Sequence, residues 1–393
     1  MKPSLLRTAT LCFFIFLVIL TGCEKKSSET AGPTKSANNN TIKIGVYYPL
    51  TGEQASFGTA SKTGIELAQK EVNAAGGILG RPVELIVEDD RGLQQEAATA
   101  VQKLITKDEV VAVIGEAVST NSIAGGQVCQ EKGVAMITPS STNPQVTQLG
   151  DYIFRTCFLD DFQGEMMARF AINTLKIRRM AILQDNGSDY SLGLTKYFTD
   201  NFQRLGGEIV ATEAYRSNDS NFSAQLTKIV ALKPEGIYIP GYYTQAGQIA
   251  QQARRVGLNV PLLGGDGWDS PRLIEIGGAA INGCFFSNHY TVEDPDAKVQ
   301  AFVKAYQATY QQLPDSAAAL GYDAARIMFA AIERAGKIER RAIRDAIAQT
   351  KEFPGVTGII TLGPDRNAVK SAVVIEVANG KYQVREKLAP TQP

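Results

Sequence analysis

The residues able to do chemistry in this chain sit in short polar runs that follow apolar, strand-like segments. After "VVAVIGE" (110–116) come Ser119, Thr120, Asn121 and Ser122, which open a helical stretch; after "VAMITP" (134–139) come Ser140, Ser141 and Thr142. A helix N-terminus presents unpaired N–H groups and a positive dipole end, so hydroxyls beside it make an anion clamp, although plain N-capping draws on the same residue types. Two such clusters on neighbouring strands would converge on one point, and that favours the clamp. Later strand ends carry something different. Tyr190, Tyr242 and Tyr243 bring rings with a polar tip, and Asp266 and Asp269 bring negative charge. Aspartates in a Gly-rich turn such as "GGDGWDS" (264–270) are also ordinary turn formers. Set opposite a hydroxyl clamp, however, Asp266 supplies the other half of a zwitterion site, with one side taking a carboxylate and the other an ammonium.

Other chemistries are excluded by what is missing. The only histidine is His289, so His-based triads and His-rich metal sites cannot be assembled; it follows a strand end and reads as a surface or hinge residue. There is no Walker A sequence, no G-x-G-x-x-G after a strand and no nucleophile elbow. "GGILG" (76–80) follows a helix and reads as a C-cap and turn. The expectation is a binding protein rather than an enzyme, with no cofactor and no metal. A formal net charge of +0 offers no basic field for nucleic acid.

The elements that must position these residues alternate along the chain. Strand-like runs fall at 42–50, 82–89, 110–116, 134–139 and 152–156, and again at 180–185, 208–215, 236–242, 261–266 and 284–288. Intervening segments carry helical periodicity; in Gln94–Lys107, Ala97, Val101, Leu104 and Ile105 share one face. Continuous apolar strands alternating with helices imply parallel sheet covered on both faces, so the fold class is α/β, two doubly wound parallel-sheet lobes with a break near Phe158–Gln163. A helical stretch follows over Ala297–Lys351, then two late strands at 358–363 and 372–384, the second with a hairpin turn at Asn379-Gly380. In open α/β sheets ligands bind beyond the carboxyl ends of the strands, which is where the hydroxyls, tyrosines and aspartates lie.

The 393-residue chain begins with a separate unit. Lys2 and Arg7 make a basic n-region, Leu11–Leu20 is an unbroken apolar run too short to span a bilayer, and Leu20-Thr21-Gly22-Cys23 resembles a bacterial lipobox. Residues 1–22 are therefore expected to be a lipoprotein signal peptide and Cys23 the lipidated residue. Glu24–Asn40 has no aliphatic residue larger than Ala and no aromatic, so 23–40 reads as a lipidated flexible tether. The body is expected to work outside the cytoplasm, in the periplasm or at the cell surface, touching the membrane through the lipid anchor only. Three cysteines remain, Cys129, Cys157 and Cys284; they are buried small hydrophobes, or one disulfide and one free thiol.

From about Thr41 to Lys387 the chain resembles the periplasmic leucine/isoleucine/valine-binding proteins, the substrate-binding subunits of branched-chain amino acid ABC importers. The motifs that carry the resemblance are "IKIGVYYPLTGEQASFG", "EVNAAGGILGRPVELIVEDD", "VVAVIGEAVS", "GVAMITPSSTNP", "FRTCFLDDFQG", "GIYIPGYYTQAGQI" and "GLNVPLLGGDGWDSP", in that order and spacing. The resemblance implies a type I periplasmic-binding-protein fold with a three-strand hinge, an N-terminal lobe of 41–160 plus 291–360 and a C-terminal lobe of 161–290 plus 361–393. It implies a monomer that binds a small amino acid and works with ABC permease and ATPase subunits. It also assigns roles: Ser119 and Thr142 hold the ligand carboxylate, and Ser140 stands where a backbone carbonyl accepts from the amine. Tyr190 and Tyr242 come down on closure, and Asp266 stands where the family usually has an acidic residue, often Glu. Ser141 belongs to the same loop and is kept with the ligand-binding set. Phe57 occupies a position where the family has a tyrosine, and no cysteine lies between Arg91 and Ser119, where the family often has a disulfide. Trp268 either shapes the pocket edge or packs beneath it. A ligand sensor for amides, urea or aromatic acids on the same fold is the alternative.

Overall fold

The computed structural model describes residues 41–388. The expectations for 1–22 and for 23–40, Cys23 included, lie outside the described residues, as do residues 389–393.

The first half of the chain builds one sheet. β1 (Ile42–Tyr48), α1 (Ala55–Ala74), β2 (Val83–Asp89), α2 (Gln94–Thr106), β3 (Ala112–Ile114), α3 (Ser119–Lys132), β4 (Ala135–Thr138), α4 (Gln145–Gln148) and β5 (Ile153–Arg155) alternate strand and helix throughout. The five strands are all parallel, in the order β2-β1-β3-β4-β5. Six of the seven residues of β1 are buried, as a strand covered by helices on both faces requires.

A second sheet follows, built from α5 (Asp160–Arg169), β6 (Arg179–Asp185), α6 (Asp189–Arg204), β7 (Glu208–Tyr215), α7 (Ser223–Ala231), β8 (Gly236–Ile239), α8 (Tyr243–Arg255), β9 (Leu262–Gly264), α9 (Pro271–Gly277) and β10 (Cys284–Asn288). Three helices then return to the first lobe: α10 (Ala297–Tyr310), α11 (Ser316–Ala335) and α12 (Arg340–Ala348). Their apolar faces join the core around β1, β3 and β4. The anticipated single helical stretch is broken twice, where Gln311 and Gly336 take left-handed φ of 58° and 64° and terminate their helices. α11 lies directly on α1. A methyl group on Gly64 would stand 2.0 Å from the Ala318 carbonyl oxygen, so only glycine permits this approach.

The late strands differ from the sequence expectation in length. β11 (Phe353–Gly355) and β12 (Gly358–Ile360) make a small hairpin of their own. β13 (Ala372–Ala378) and β14 (Lys381–Leu388) then join the second sheet antiparallel, giving β14-β13-β10-β9-β8-β6-β7. The turn between them is the one expected, with Asn379 and Gly380 both at positive φ (52° and 71°), which suits a tight hairpin.

The chain thus passes between the lobes three times: after β5, after β10 and after β12. Among the described residues no helix is long and apolar enough to cross a membrane. Among the described residues Cys129, Cys157 and Cys284 are buried and form no disulfide, and desolvation raises all three thiols, Cys157 to about 12 and Cys284 to about 11.

Candidate ligand-binding site

In both sheets strand order reverses beside the strand that opens it, at β1/β3 in the first and β6/β8 in the second. The crevice of an open α/β sheet forms at such a point. In the first lobe the loops after β3 and β4 meet around one backbone carbonyl. Gly115 turns sharply out of β3 at φ 150°, and the buried Glu116 carboxylate accepts from the Val118 N–H at the start of α3. The Glu116 carbonyl accepts from Thr138 Oγ1 (2.8 Å) and Ser141 Oγ (3.0 Å), and Ser141 Oγ also lies 2.6 Å from Ser122 Oγ. Beneath this loop the fully buried Arg155 donates to the carbonyls of Ser141 (2.6 Å) and Asn143 (2.7 Å) and to Asn367 Oδ1 (3.0 Å).

The hydroxyl clusters therefore divide into two sets. Thr138, Ser122 and Ser141 face inward and bind the loops to each other. Ser119, Ser140 and Thr142 line the cleft. This corrects the placement of Ser141 with the ligand-binding side chains: alternation along the loop turns its hydroxyl to the Glu116 carbonyl, while Arg155 holds its own carbonyl from below. Ser119 Oγ accepts from the Asn143 N–H (3.3 Å), which leaves its proton free to donate into the cavity. Ser140 Oγ is shielded from solvent and has no partner among the described residues.

The second lobe supplies the opposing wall from the ends of four strands. Tyr190, in the first turn of α6, donates its hydroxyl to Asp266 Oδ1 (2.9 Å) and accepts from the Gly267 N–H (3.1 Å). Tyr242 precedes α8 and stacks on Tyr190, ring centroids 5.3 Å apart. Asp266, just beyond β9, also accepts from Gln163 Nε2 at 3.1 Å on Oδ1 and meets His289 Nε2 at 2.9 Å on Oδ2. Burial lowers the pKa of His289, with Asp266 acting in the opposite direction. The ring is thus neutral at pH 7, and its Nε2–H faces the carboxylate. It stacks on Phe158 with centroids 3.7 Å apart. Asp160, buried beside the Thr142 hydroxyl and the Gln163 amide, is pushed up by desolvation to about 7.

Together the two walls bound a cleft whose unfilled space, solvent at its mouth included, is about 390 Å³. Phe57, Ser119, Ser140, Thr142, Tyr190, Tyr242 and Asp266 all line it. So do residues that sequence reasoning missed: Ala117, Gly267, His289, and Ser316, Ala317 and Leu320 of α11. His289, read from sequence as a surface or hinge residue, lies on the second passage between the lobes but is only 6% exposed and forms part of the wall. Its position after a strand end was the available signal. For the α11 residues there was none, because small apolar side chains in a helical pattern look like core. Trp268 packs beneath the site, its indole N–H bonded to the Ile239 carbonyl at 3.1 Å.

Around the rim the lobes are joined by direct hydrogen bonds. Asn143 Nδ2 donates to the Asp189 carbonyl (2.7 Å), and the Asp189 N–H to Thr120 Oγ1 (3.0 Å). Gln245 Nε2 donates to the Glu53 carboxylate (2.7 Å), and the Ser316 N–H to Asp269 (2.9 Å). Phe57 sets its ring edge-on to Tyr243, centroids 5.0 Å apart, so apolar contact also crosses the cleft.

Comparison with known proteins agrees with this architecture. The periplasmic binding protein family matches residues 41–381. The chain is 34% identical over 326 residues to the Leu/Ile/Val-binding protein BraC3 of Rhizobium johnstonii, covering 82% of this chain and 87% of that one. Among solved structures, the leucine-binding protein LivK of Thermotoga maritima superposes with a TM-score of 0.84 at 41% identity, over 89% of this chain and 99% of that one. LivJ of Streptococcus pneumoniae, a branched-chain amino acid transporter substrate-binding protein solved with isoleucine, gives a TM-score of 0.84 at 36% identity, over 90% and 100%. With its two parallel-sheet lobes and its cleft at their facing strand ends, the chain belongs to the periplasmic binding protein family, among the Leu/Ile/Val-binding proteins that serve ABC transporters.

Proposed function

We propose that the chain captures a branched-chain or closely related amino acid between its lobes and hands it to an ABC importer. The observation that carries this reading is the polarity of the cavity. Hydroxyls with protons to give stand on one lobe, and a carboxylate stands across from them on the other. Ser119 and Thr142 hold the ligand carboxylate, and Ser140 contributes its carbonyl to the amine. The Asp266 carboxylate has three protein donors, so about one of its roughly four acceptor positions is left for an ammonium. Phe57, Ala117, Ala317 and Leu320 make the remaining wall apolar, which suits an aliphatic side chain.

No bond is made or broken. Binding works by closure: a ligand that touches both lobes binds the closed form better than the open one, and only that difference shifts the population. Closing the cleft also excludes water and strengthens each polar contact. Isothermal titration and thermal-shift measurements test the reading. Leu, Ile or Val should stabilise the protein, whereas amides, urea and benzoate should not; stabilisation by benzoate with none by the three amino acids would overturn it. We also propose that Cys23 carries a lipid that holds the protein on the extracytoplasmic face of a membrane. Replacing Cys23 with Ser should move the protein from the detergent phase to the aqueous phase, and unchanged partitioning would refute the anchor.

A further inference from the structure

We propose that Gln163 is a positioning residue that fixes the orientation of Asp266 and links it to the hydroxyl loop of the opposite lobe. The inference rests on reading the cavity as an amino-acid site. Gln163 lies in the first turn of α5, just past the first passage between lobes, and is fully buried. It lines no part of the cavity, so its action on a ligand is indirect.

The hydrogen-bond inventory of this one side chain is complete. Its Nε2 donates to Asp160 Oδ1 at 2.8 Å and to Asp266 Oδ1 at 3.1 Å, with Thr142 Oγ1 a more distant acceptor at 3.4 Å. Its Oε1 accepts from Ser287 Oγ at 2.7 Å and from the Asp266 N–H at 3.3 Å. A carboxamide has two hydrogens and two lone pairs, and all four are used. The amide orientation follows from these neighbours. Turned over, the oxygen would face two carboxyl groups and the nitrogen would face the Asp266 N–H.

Two features make this more than a packing arrangement. First, Gln163 grips Asp266 at both backbone and side chain, so the carboxylate has no rotation that keeps its bonds except the one observed. Tyr190 and His289 complete the hold, but neither touches the Asp266 backbone N–H. Second, its other amide hydrogen goes to Asp160, whose backbone N–H donates to the Thr142 carbonyl at 3.0 Å, and the Thr142 side chain lines the cavity from the first lobe. The acceptor for the ligand's ammonium and the loop whose hydroxyl is assigned to its carboxylate are thereby coupled through Gln163 by way of Asp160. A site held in this way favours α-amino acids over ligands whose charges are spaced differently.

His289 makes the inference testable, because it is the only histidine in the chain and its Nε2 is bonded to Asp266. In full-length protein carrying no added histidines, Gln163→Met should weaken leucine binding at least tenfold by titration calorimetry. It should also shift or broaden the single imidazole Nε2–H resonance in ¹⁵N-histidine spectra recorded without ligand. Leucine affinity within twofold of wild type, or an unchanged imidazole signal, would overturn the proposal. If wild-type protein binds none of Leu, Ile and Val, it is the amino-acid reading that fails, and the imidazole signal alone decides whether Gln163 holds Asp266. Should Gln163→Met not fold, Gln163→Glu keeps the size and the oxygen facing Ser287. It places a carboxyl among Asp160 and Asp266, with His289 beyond Asp266 and Arg155 near Asp160. Leucine affinity should then be at least tenfold weaker than wild type at pH 8 and recover toward pH 5.5, where the protonated carboxyl can donate again. A flat pH profile in that variant would refute the role.

Discussion

Replacing Asp266 with Asn removes one charge from the site while keeping its volume, and the structure sets the size of the effect. The Asp266 side chain is only 9% exposed, so an ammonium docked against it is shielded from water. At a separation of about 3 Å and an effective dielectric of about 20, the attraction is roughly 5 kcal/mol. Breaking a buried pair by removing one partner costs about 3–5 kcal/mol. The Asn oxygen still accepts from Tyr190 and Gln163, which returns about 1 kcal/mol. The net loss is about 2–4 kcal/mol, or roughly a 30- to 1,000-fold weaker Kd. The other half of the carboxylate faces His289, where the Asn amide would put N–H against N–H. The ring can avoid this by moving its proton from Nε2 to Nδ1, which is buried without a partner among the described residues, so the variant should fold with a changed histidine tautomer and a lowered melting temperature. Titration calorimetry with leucine, alongside a melting curve, measures both effects. A Kd within threefold of wild type in a normally folded variant would mean that the ammonium does not sit at Asp266.

Three further outcomes are expected. Arg155→Ala should lower the melting temperature and abolish binding, because three buried acceptors lose their charged donor, at about 1.5–3 kcal/mol each at most; binding retained in a folded variant would show that the loop holds its own shape. Gln245→Ala removes a bond across the rim and should weaken ligand affinity no more than about tenfold, mainly through faster release in stopped-flow displacement; an unchanged release rate would count against that contact as a latch. Stability should fall as pH rises from about 5 to 7.5 in thermal melts. Desolvation raises the buried carboxyls of Asp90 to about 6 and of Asp160 and Asp315 to about 7, so the folded state keeps protons that the unfolded chain has released. Their stabilising contribution is full below about pH 4 and lost through those values. His289, lowered by burial, acts the other way, whereas Glu53, Glu116 and Asp269, also raised by desolvation, act with the three aspartates. Asp160→Asn should flatten the slope, and an unchanged slope would rule that residue out as a contributor.

Much of the site could be read from the sequence because the fold puts ligands at strand ends, and strand ends can be located from apolar runs. Ser119, Thr142, Tyr190, Tyr242 and Asp266 each follow such a run and each line the cavity. What sequence could not resolve was direction within a loop. Ser140 and Ser141 are adjacent hydroxyls, yet one faces the cleft and the other the Glu116 carbonyl, and the difference is imposed by Arg155 and Glu116 from distant strands. Gln163 was equally hidden, since its partners outside its own helix are brought together only when the ends of β9 and β10 and a loop from the other lobe converge. The α11 residues reach the site because Gly64 lets that helix lie against α1, a fact of packing with no local signal.

Trp268 has a practical consequence. It is the chain's one tryptophan, fully buried, with its ring against Gly264 and its backbone next to Gly267 in the cavity wall. Tyr190 and Tyr242 contribute to the same wall, within range for excitation energy to pass to the indole. The natural chain therefore carries its own optical gauge of the cleft. Emission from a single shielded fluorophore can follow capture and release in real time, with no dye attached and no residue replaced.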